Sequence, residues 1–148
     1  MKQLIYVMQF TGQAAPAAGS TTVIKATSTA SSCSLTTTVG TDGVSGVLQP
    51  VGGDKAHFES EVTLTGDASF VESGSIRFGD RSKLRFSTVG QGNIGASADP
   101  KLKSGTVMWR VDGGEGQFAG ASGYITSNFL IGEAGELTDN HFGVLFVN

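Results

Sequence analysis

Few residues in this chain belong to the types that build disulfide frameworks, metal centres or nucleic-acid interfaces. Among 148 residues there is one cysteine, Cys33, so an internal disulfide and any multi-cysteine zinc or iron–sulfur site are excluded. The two histidines form no metal-binding motif, and we expect neither a metal nor an organic cofactor. The net charge is −3 without a Lys/Arg cluster, so nucleic acid is not an expected partner.

Long apolar runs and helical periodicity are also missing. No run approaches the roughly 18 apolar residues of a membrane-spanning helix, so we expect no membrane partner and, with one cysteine, a cytoplasmic location. Residues 1–20 carry a weak leader-like pattern, but the β-forming residues 4–8 lie between two glutamines and favour a first strand. The length, with 39% hydrophobic and 16% charged residues, fits one folded domain over residues 1–148.

Short β-rich runs, separated by glycine, aspartate and proline, make up the chain instead. Apolar and polar residues alternate within them, as in residues 104–112, where Val107, Trp109 and Val111 share one face. The connections are too short for crossover helices, so the sheet should be antiparallel. We predict an all-β fold with up to ten strands, closed into a barrel or packed as a sandwich. The predicted strands are residues 3–10, 20–28, 33–39, 43–49, 56–65, 68–78, 83–90, 104–112, 121–131 and 141–147.

Glycine is abundant, and five glycines fall within eleven residues of the stretch "VDGGEGQFAGASGYITSNF", residues 111–129. No Lys-Ser/Thr follows them, as a P-loop requires, and no serine has the flanking glycines of a nucleophile elbow. A formal G-x-G-x-x-G at residues 90–95 lacks the following helix that dinucleotide binding needs. The cluster therefore predicts a tight strand connection in which at least one of Gly113, Gly114 and Gly116 has a positive φ.

The same stretch carries a family resemblance. "VDGGEGQFAGASGYIT" resembles the G-G-x-G-x-F-x-G-A-x-G segment of the allene oxide cyclase and dirigent proteins, with a small bacterial-type relative as the closer likeness. Those proteins are antiparallel β-barrels of about this length, usually trimeric, in which the glycines form a turn leading into a late strand. The resemblance implies a single calycin-like antiparallel barrel and a homotrimer. The matching residues are Gly113, Gly114, Gly116, Phe118, Gly120, Ala121 and Gly123.

Candidate site residues lie mainly on the last three predicted strands, which should be neighbours in the sheet. An acid beside an imidazole can orient it for proton transfer, and a cation, a hydroxyl and an amide could bind a carbonyl or carboxylate. Alternation fixes which residues share a face, but it leaves open which face is inside, so each residue could also be structural. We predict catalytic roles for Arg110, Tyr124, Asp139 and His141, and ligand-binding roles for Trp109, Asn128, Glu59 and Glu61.

Two of these assignments have a simpler interpretation that the sequence favours. His57, Glu59 and Glu61 share one strand face, which fits the wet outer side of an antiparallel sheet. Asp139 with Asn140 fits a turn before the last strand, and His141 would then be a structural histidine. The Glu59/Glu61 face is therefore the reserve candidate if the last strands hold no site.

Three functions are compatible with such a barrel. The first is a cofactor-free cyclase, isomerase or lyase that acts on a small hydrophobic molecule held in the barrel. The second is a non-catalytic, lipocalin-like binding protein, and the third is a structural protein whose outer face makes an oligomer. A buried acid or histidine with a perturbed pKa favours the enzyme, an apolar cavity without one favours the binder, and a filled lumen favours the structural protein.

Overall fold

Eleven strands and one short 3-10 turn form the chain, which the computed structural model describes from Met1 to Asn148. The first segment is a strand, as predicted, and it continues to Pro16. The 3-10 turn at Gly116–Phe118 follows the ninth strand. The strands are β1 (Lys2–Pro16), β2 (Val23–Ala30), β3 (Cys33–Gly40), β4 (Gly43–Pro50), β5 (Ala56–Leu64), β6 (Ser69–Phe78), β7 (Ser82–Thr88), β8 (Gly92–Ala96), β9 (Leu102–Glu115), β10 (Ser122–Gly132) and β11 (Glu136–Val147).

Eight of the strands close into an antiparallel barrel, which confirms the predicted fold class. Around the wall the order is β1, β2, β5, β6, β7, β9, β10, β11 and back to β1. The short strand β8 pairs with β9 and with the start of β6, where it extends the wall beyond the end of β7. No helix in the structure has the length and apolar character needed to cross a membrane.

Three details of the predicted strands are wrong. β3 and β4 pair only with each other and form a ribbon outside the barrel, because β2 and β5 already pair directly along their whole lengths. β8 is absent from the predicted strands, and it lies in the glycine-rich stretch after residue 90. The last strand begins at Glu136, so Asp139 and Asn140 belong to a strand and not to a turn.

The lumen of the barrel is filled by inward-facing side chains, many of them aromatic. Phe10, Phe58, Phe86 and Trp109 are all at most 3% exposed. Their rings pack in series, with centroids 5.4 Å apart for Phe58 and Phe86 and 4.4 Å apart for Phe86 and Trp109. Such contacts are typical of the packed interior of a small barrel.

The glycine cluster contains a bulge near the end of β9 and then a tight turn, of which the sequence predicts the turn and the positive φ. Gly113 has a φ of +77° at the point where the register between β7 and β9 shifts. Gly116 has a φ of +62° and opens the 3-10 turn, which places Phe118 in the core. Both glycines adopt the left-handed region that side-chain-bearing residues avoid.

Substitution of the two glycines should separate backbone strain from steric overlap. A Cβ at Gly113 would meet open space, whereas a Cβ at Gly116 would overlap the carbonyl oxygen of Arg81. We expect Gly113→Ala to lower the free energy of unfolding by roughly 1 kcal/mol, and Gly116→Ala by roughly 2 kcal/mol. Urea unfolding of both variants measures the difference, and equal losses would contradict the overlap at Gly116.

Candidate functional site

A group of polar side chains lies inside the barrel, among the aromatic rings. These residues come from β5, β6, β9, β10 and β11. Side chains along a strand point alternately inward and outward, and each of these residues occupies an inward position. Buried polar groups of this kind require hydrogen-bond partners, and here they mostly supply them to one another. We call the following residues the lumen polar cluster: Ser60, Glu72, Trp109, Ser127, Asp139 and His141.

Glu72 is the centre of one half of this cluster. It lies on β6 on the same face as Phe70 and Ile76, so the strand carries it into the apolar interior. The Ser60 hydroxyl donates to Oε1 at 2.6 Å, and the Trp109 indole Nε1 donates to Oε2 at 3.2 Å. Both carboxyl oxygens therefore have one partner each.

The buried position changes the acidity of Glu72. Burial raises the pKa of its carboxyl from 4.5 to about 7, and the nearby Asp139 carboxylate contributes in the same direction. The hydrogen bonds from Ser60 and Trp109 lower the pKa and partly offset the burial. Near neutral pH this carboxyl is populated in both protonation states, which a general acid or base requires.

Asp139 and His141 form the other half of the cluster. Ser127 Oγ donates to Asp139 Oδ1 at 2.5 Å, and His141 Nε2 lies 2.9 Å from Asp139 Oδ2. With the carboxylate as acceptor, Nε2 carries the proton and donates, so the imidazole is held in one orientation. His141 Nδ1 is buried and has no hydrogen-bond partner in the protein.

Trp109 joins the two halves. Its indole donates to Glu72, and its ring centroid lies 5.0 Å from that of His141 in a T-shaped arrangement. Phe10 also packs against the imidazole, with the ring centroids 4.4 Å apart. The buried titratable groups are thus held by packing as well as by hydrogen bonds.

Tyr6 brings a further polar group toward the interior. Its side chain extends inward from β1 opposite Gly143, where a larger residue would overlap the ring. The hydroxyl is buried and has no hydrogen-bond partner. Burial raises the pKa of Tyr6 far above its usual range, with the Asp139 carboxylate adding to the effect. The phenol therefore stays protonated and can donate to a ligand oxygen.

A cleft opens beside Tyr6 at one end of the barrel. β1 pairs with β2 only from Thr11 onward, so the first half of β1 leaves a gap in the wall. The cleft has a volume of about 390 Å³, within the range of small-molecule sites. The main surface clefts do not reach Glu72, Asp139 or His141. The apolar side chains that line this end cleft include Leu4, Tyr6, Met8, Phe78 and Phe118.

The structure brings three of the predicted site residues together inside the barrel. Asp139 and His141 share the inner face of β11, as their spacing predicts, and they are hydrogen-bonded. Trp109 also points inward and is fully buried. Asp139 belongs to the wall of the barrel, not to a turn before it.

Three other predicted residues lie outside the lumen, which corrects their assignment to an interior site. Arg110 and Tyr124 are directly opposite each other on β9 and β10, one position away from the inward pair Trp109 and Ile125. Tyr124 is 53% exposed, and the Arg110 guanidinium is paired with a surface aspartate. Asn128 is exposed on the same outer face. Neighbouring residues on a strand point to opposite sides, so none of the three can contact His141 from inside.

The reserve candidates also face solvent. Glu59 and Glu61 are exposed on the outside of β5, in the position that the simpler interpretation favoured. The sequence reasoning missed Glu72 and Tyr6, and only Glu72 had a signal within its own strand. Glu72 is the one acid on an otherwise apolar face of residues 69–78.

The chain was compared with protein-family models, with curated proteins and with solved structures. No significant match was found. The assignment of this chain to a closed eight-stranded antiparallel barrel therefore rests on its own structure. Any activity has to be inferred from the chemistry of the lumen polar cluster and the end cleft.

Proposed function

We propose that the protein is a cofactor-independent enzyme that cyclises, isomerises or eliminates a small hydrophobic molecule by moving one proton. The observation that carries this proposal is the buried Glu72 carboxyl, with its pKa raised to about 7. Perturbed acids inside a protein are common at catalytic sites, because a group that titrates near the working pH can both take and give a proton.

The proposed roles follow from the position of each group. The end cleft binds the apolar part of the substrate, and the Tyr6 hydroxyl donates to a substrate oxygen. Glu72 transfers the proton to or from the substrate. Asp139 holds the His141 imidazole so that its Nδ1 has no protein partner and can accept a proton and return it. The aromatic rings between cleft and cluster have to move when the substrate enters, since they fill the lumen in the free protein.

A relation to the allene oxide cyclase and dirigent barrels is part of this proposal. The glycine-rich segment from Gly113 to Gly123 supports it, together with the antiparallel barrel. That likeness makes a long-chain unsaturated epoxide a reasonable first substrate class. The single cysteine fits a reducing compartment, and the cytoplasm is the proposed location.

A second candidate function is non-catalytic binding of a hydrophobic molecule in the end cleft. The apolar lining of this cleft favours it, because the cleft does not include the titratable Glu72. The two functions differ in one measurable property: a binding protein would hold the molecule without changing it. Loss of Glu72 would then leave the affinity and the fate of the molecule unaltered.

Two probes can distinguish the candidates. Binding is measured with the fluorescent fatty acid cis-parinaric acid, and turnover with an unsaturated fatty-acid epoxide followed by chiral chromatography and mass spectrometry. We expect Tyr6→Phe to weaken binding and Glu72→Gln to reduce turnover by about a hundredfold or more. Glu61→Gln, which changes the same group on the outer face of β5, should match the wild type.

Each outcome has a defined meaning for the proposal. Binding with no product supports the binding protein and overturns the enzyme, as does turnover that Glu72→Gln leaves unchanged. Absence of both binding and turnover overturns both candidates for this ligand class. Native mass spectrometry of the purified protein adds an independent check for a co-purified ligand.

The proposed active form is a homo-oligomer, and the family likeness favours a trimer. The outer face of β1, β9, β10 and β11 carries neighbouring apolar side chains, as the cross-strand register shows. Exposed apolar patches of this kind mark interfaces between proteins. The exposed side chains of this patch are Ile5, Met108, Tyr124, Phe142 and Phe146, between 38% and 58% accessible.

Placing a charge in the centre of this patch should dissociate the oligomer. We expect sedimentation of the wild type to give a multiple of the 15.2 kDa chain mass and Phe142→Lys to give the single chain, since burying an unpaired charge is costly. Thr63→Lys, on the exposed face of β5, is the matched control and should keep the wild-type mass. A wild type that sediments only as a monomer at micromolar concentration contradicts the oligomer.

A further inference from the structure

A row of basic side chains crosses the outer face of β5, β6 and β7. His57 lies directly opposite Arg77, and Arg77 directly opposite Lys83. Residues paired in this way have Cβ atoms about 4.5–5.5 Å apart, and like charges so placed repel. None of the ion pairs of the structure contains a residue of this row, and Glu115, the neighbour of Lys83 on β9, pairs with Arg85 at 3.6 Å. Arg77 and Lys83 are therefore neighbouring cations without an ion-pair partner in the protein.

The same row lines a groove in the barrel wall with a volume of about 490 Å³. Its other walls carry mainly hydroxyl, amide and carboxylate groups from β1, β2, β5 and β6. None of these side chains makes a hydrogen bond to another protein group, so all are available to a ligand. The polar residues of this outer groove, besides the basic row, are Thr11, Gln13, Thr27, Thr29, Glu59 and Ser75.

We propose that the outer groove binds an anionic saccharide, a sugar that carries a carboxylate or a sulfate. The Arg77 guanidinium offers a planar pair of donors that matches such an oxyanion, and Lys83 and His57 flank it on the neighbouring strands. The hydroxyl of Thr29 and the carboxylate of Glu59 hydrogen-bond the sugar hydroxyls. The Glu59 carboxylate also repels the anionic group of the sugar, so that this group binds at Arg77 and the sugar hydroxyls lie toward Glu59. This site lies outside the lumen and does not depend on the proposed enzymatic function.

Calorimetric titration of the full chain tests the site. The probes are glucuronic acid and glucose 6-sulfate, which separate the two sources of charge, with glucose and inorganic sulfate as comparisons. At least one acidic sugar is expected to bind more tightly than both comparisons. Arg77→Gln should weaken that binding about tenfold or more. Lys101→Gln, in the turn before β9, removes a charge away from the groove and should have no effect.

The hydroxyl contribution is tested separately. Thr29→Val should weaken binding of the acidic sugar and leave the binding of inorganic sulfate unchanged. The proposal is overturned if neither acidic sugar exceeds both comparisons, or if Arg77→Gln and Lys83→Gln both bind like the wild type. Arg77 and Lys83 lie on the outer surface of the barrel, and circular dichroism of each variant verifies the fold.

Discussion

Replacement of Glu72 by glutamine is expected to stabilise the protein by roughly 3 kcal/mol above pH 7. The pKa of Glu72 is about 7 in the folded protein, against an ordinary value of 4.5. Between these two pH values the folded chain holds a proton that the unfolded chain has lost. The free energy of unfolding of the wild type therefore falls as the pH rises from about 4.5 to about 7. Glutamine is neutral at every pH in this range, so the free energy of unfolding of the variant does not fall in this way.

Glutamine also keeps the hydrogen bonds of the site. Its amide oxygen can accept from Trp109 Nε1, and its amide nitrogen can donate to Ser60 Oγ. Urea unfolding at pH 5 and pH 8 measures the effect, with Glu61→Gln as the exposed control. We expect the gain at pH 8 to shrink toward zero at pH 5. A Glu72→Gln variant that is less stable than the wild type at pH 8 would show that the buried carboxylate is stabilising, contrary to this expectation.

Replacement of Trp109 by phenylalanine should lower the free energy of unfolding by about 3 kcal/mol. The indole is fully buried, packs against Phe58 and Phe86, and donates to Glu72. Phenylalanine leaves a void and leaves Glu72 Oε2 without its donor. Because that hydrogen bond lowers the pKa of Glu72, the variant should also raise the pKa above about 7.

A second lumen variant separates packing from hydrogen bonding. Phe86→Leu also leaves a void beside the indole, but it removes no donor from Glu72. We expect it to lower stability while leaving the pKa of Glu72 close to its wild-type value. If the two variants shift the pKa of Glu72 equally, the Trp109 hydrogen bond does not control the acidity of the site.

The strand pattern of the sequence was sufficient to predict the barrel, and its errors have physical causes. Alternation in residues 104–112 correctly placed Trp109 and Arg110 on opposite faces. Alternation does not show with which strand a segment pairs, so the sequence could not distinguish the ribbon of β3 and β4 from the strands of the barrel. β8 was missed because glycine is disfavoured in strands, yet Gly92 packs there against the ring of Phe70.

The strand pattern also predicted which candidate site residues share a face, but not which face is inside the barrel. The two-residue spacing of Asp139 and His141 correctly placed them on one face, and the structure joins them by a hydrogen bond. The Tyr124 hydroxyl suits a ligand site, but Tyr124 is one position away from the inward-facing Ile125 and therefore points outward. Tyr6 reaches the interior on β1, which pairs with β11 at the other end of the sequence. Glu72 on β6 accepts a hydrogen bond from Trp109 on β9, a strand with which β6 does not pair. A single strand pattern contains neither relation.

Titration of the Glu72 carboxyl by carbon-13 NMR tests the central claim most directly. The protein is labelled at glutamate carboxyl carbons, and the Glu72 resonance is identified by its loss in Glu72→Gln. The expected midpoint is near pH 7, because burial and the Asp139 carboxylate both oppose ionisation. A midpoint near the ordinary value of 4.5 would mean that Glu72 is a structural carboxylate that is ionised at neutral pH, and the proposed proton transfer would lose its basis.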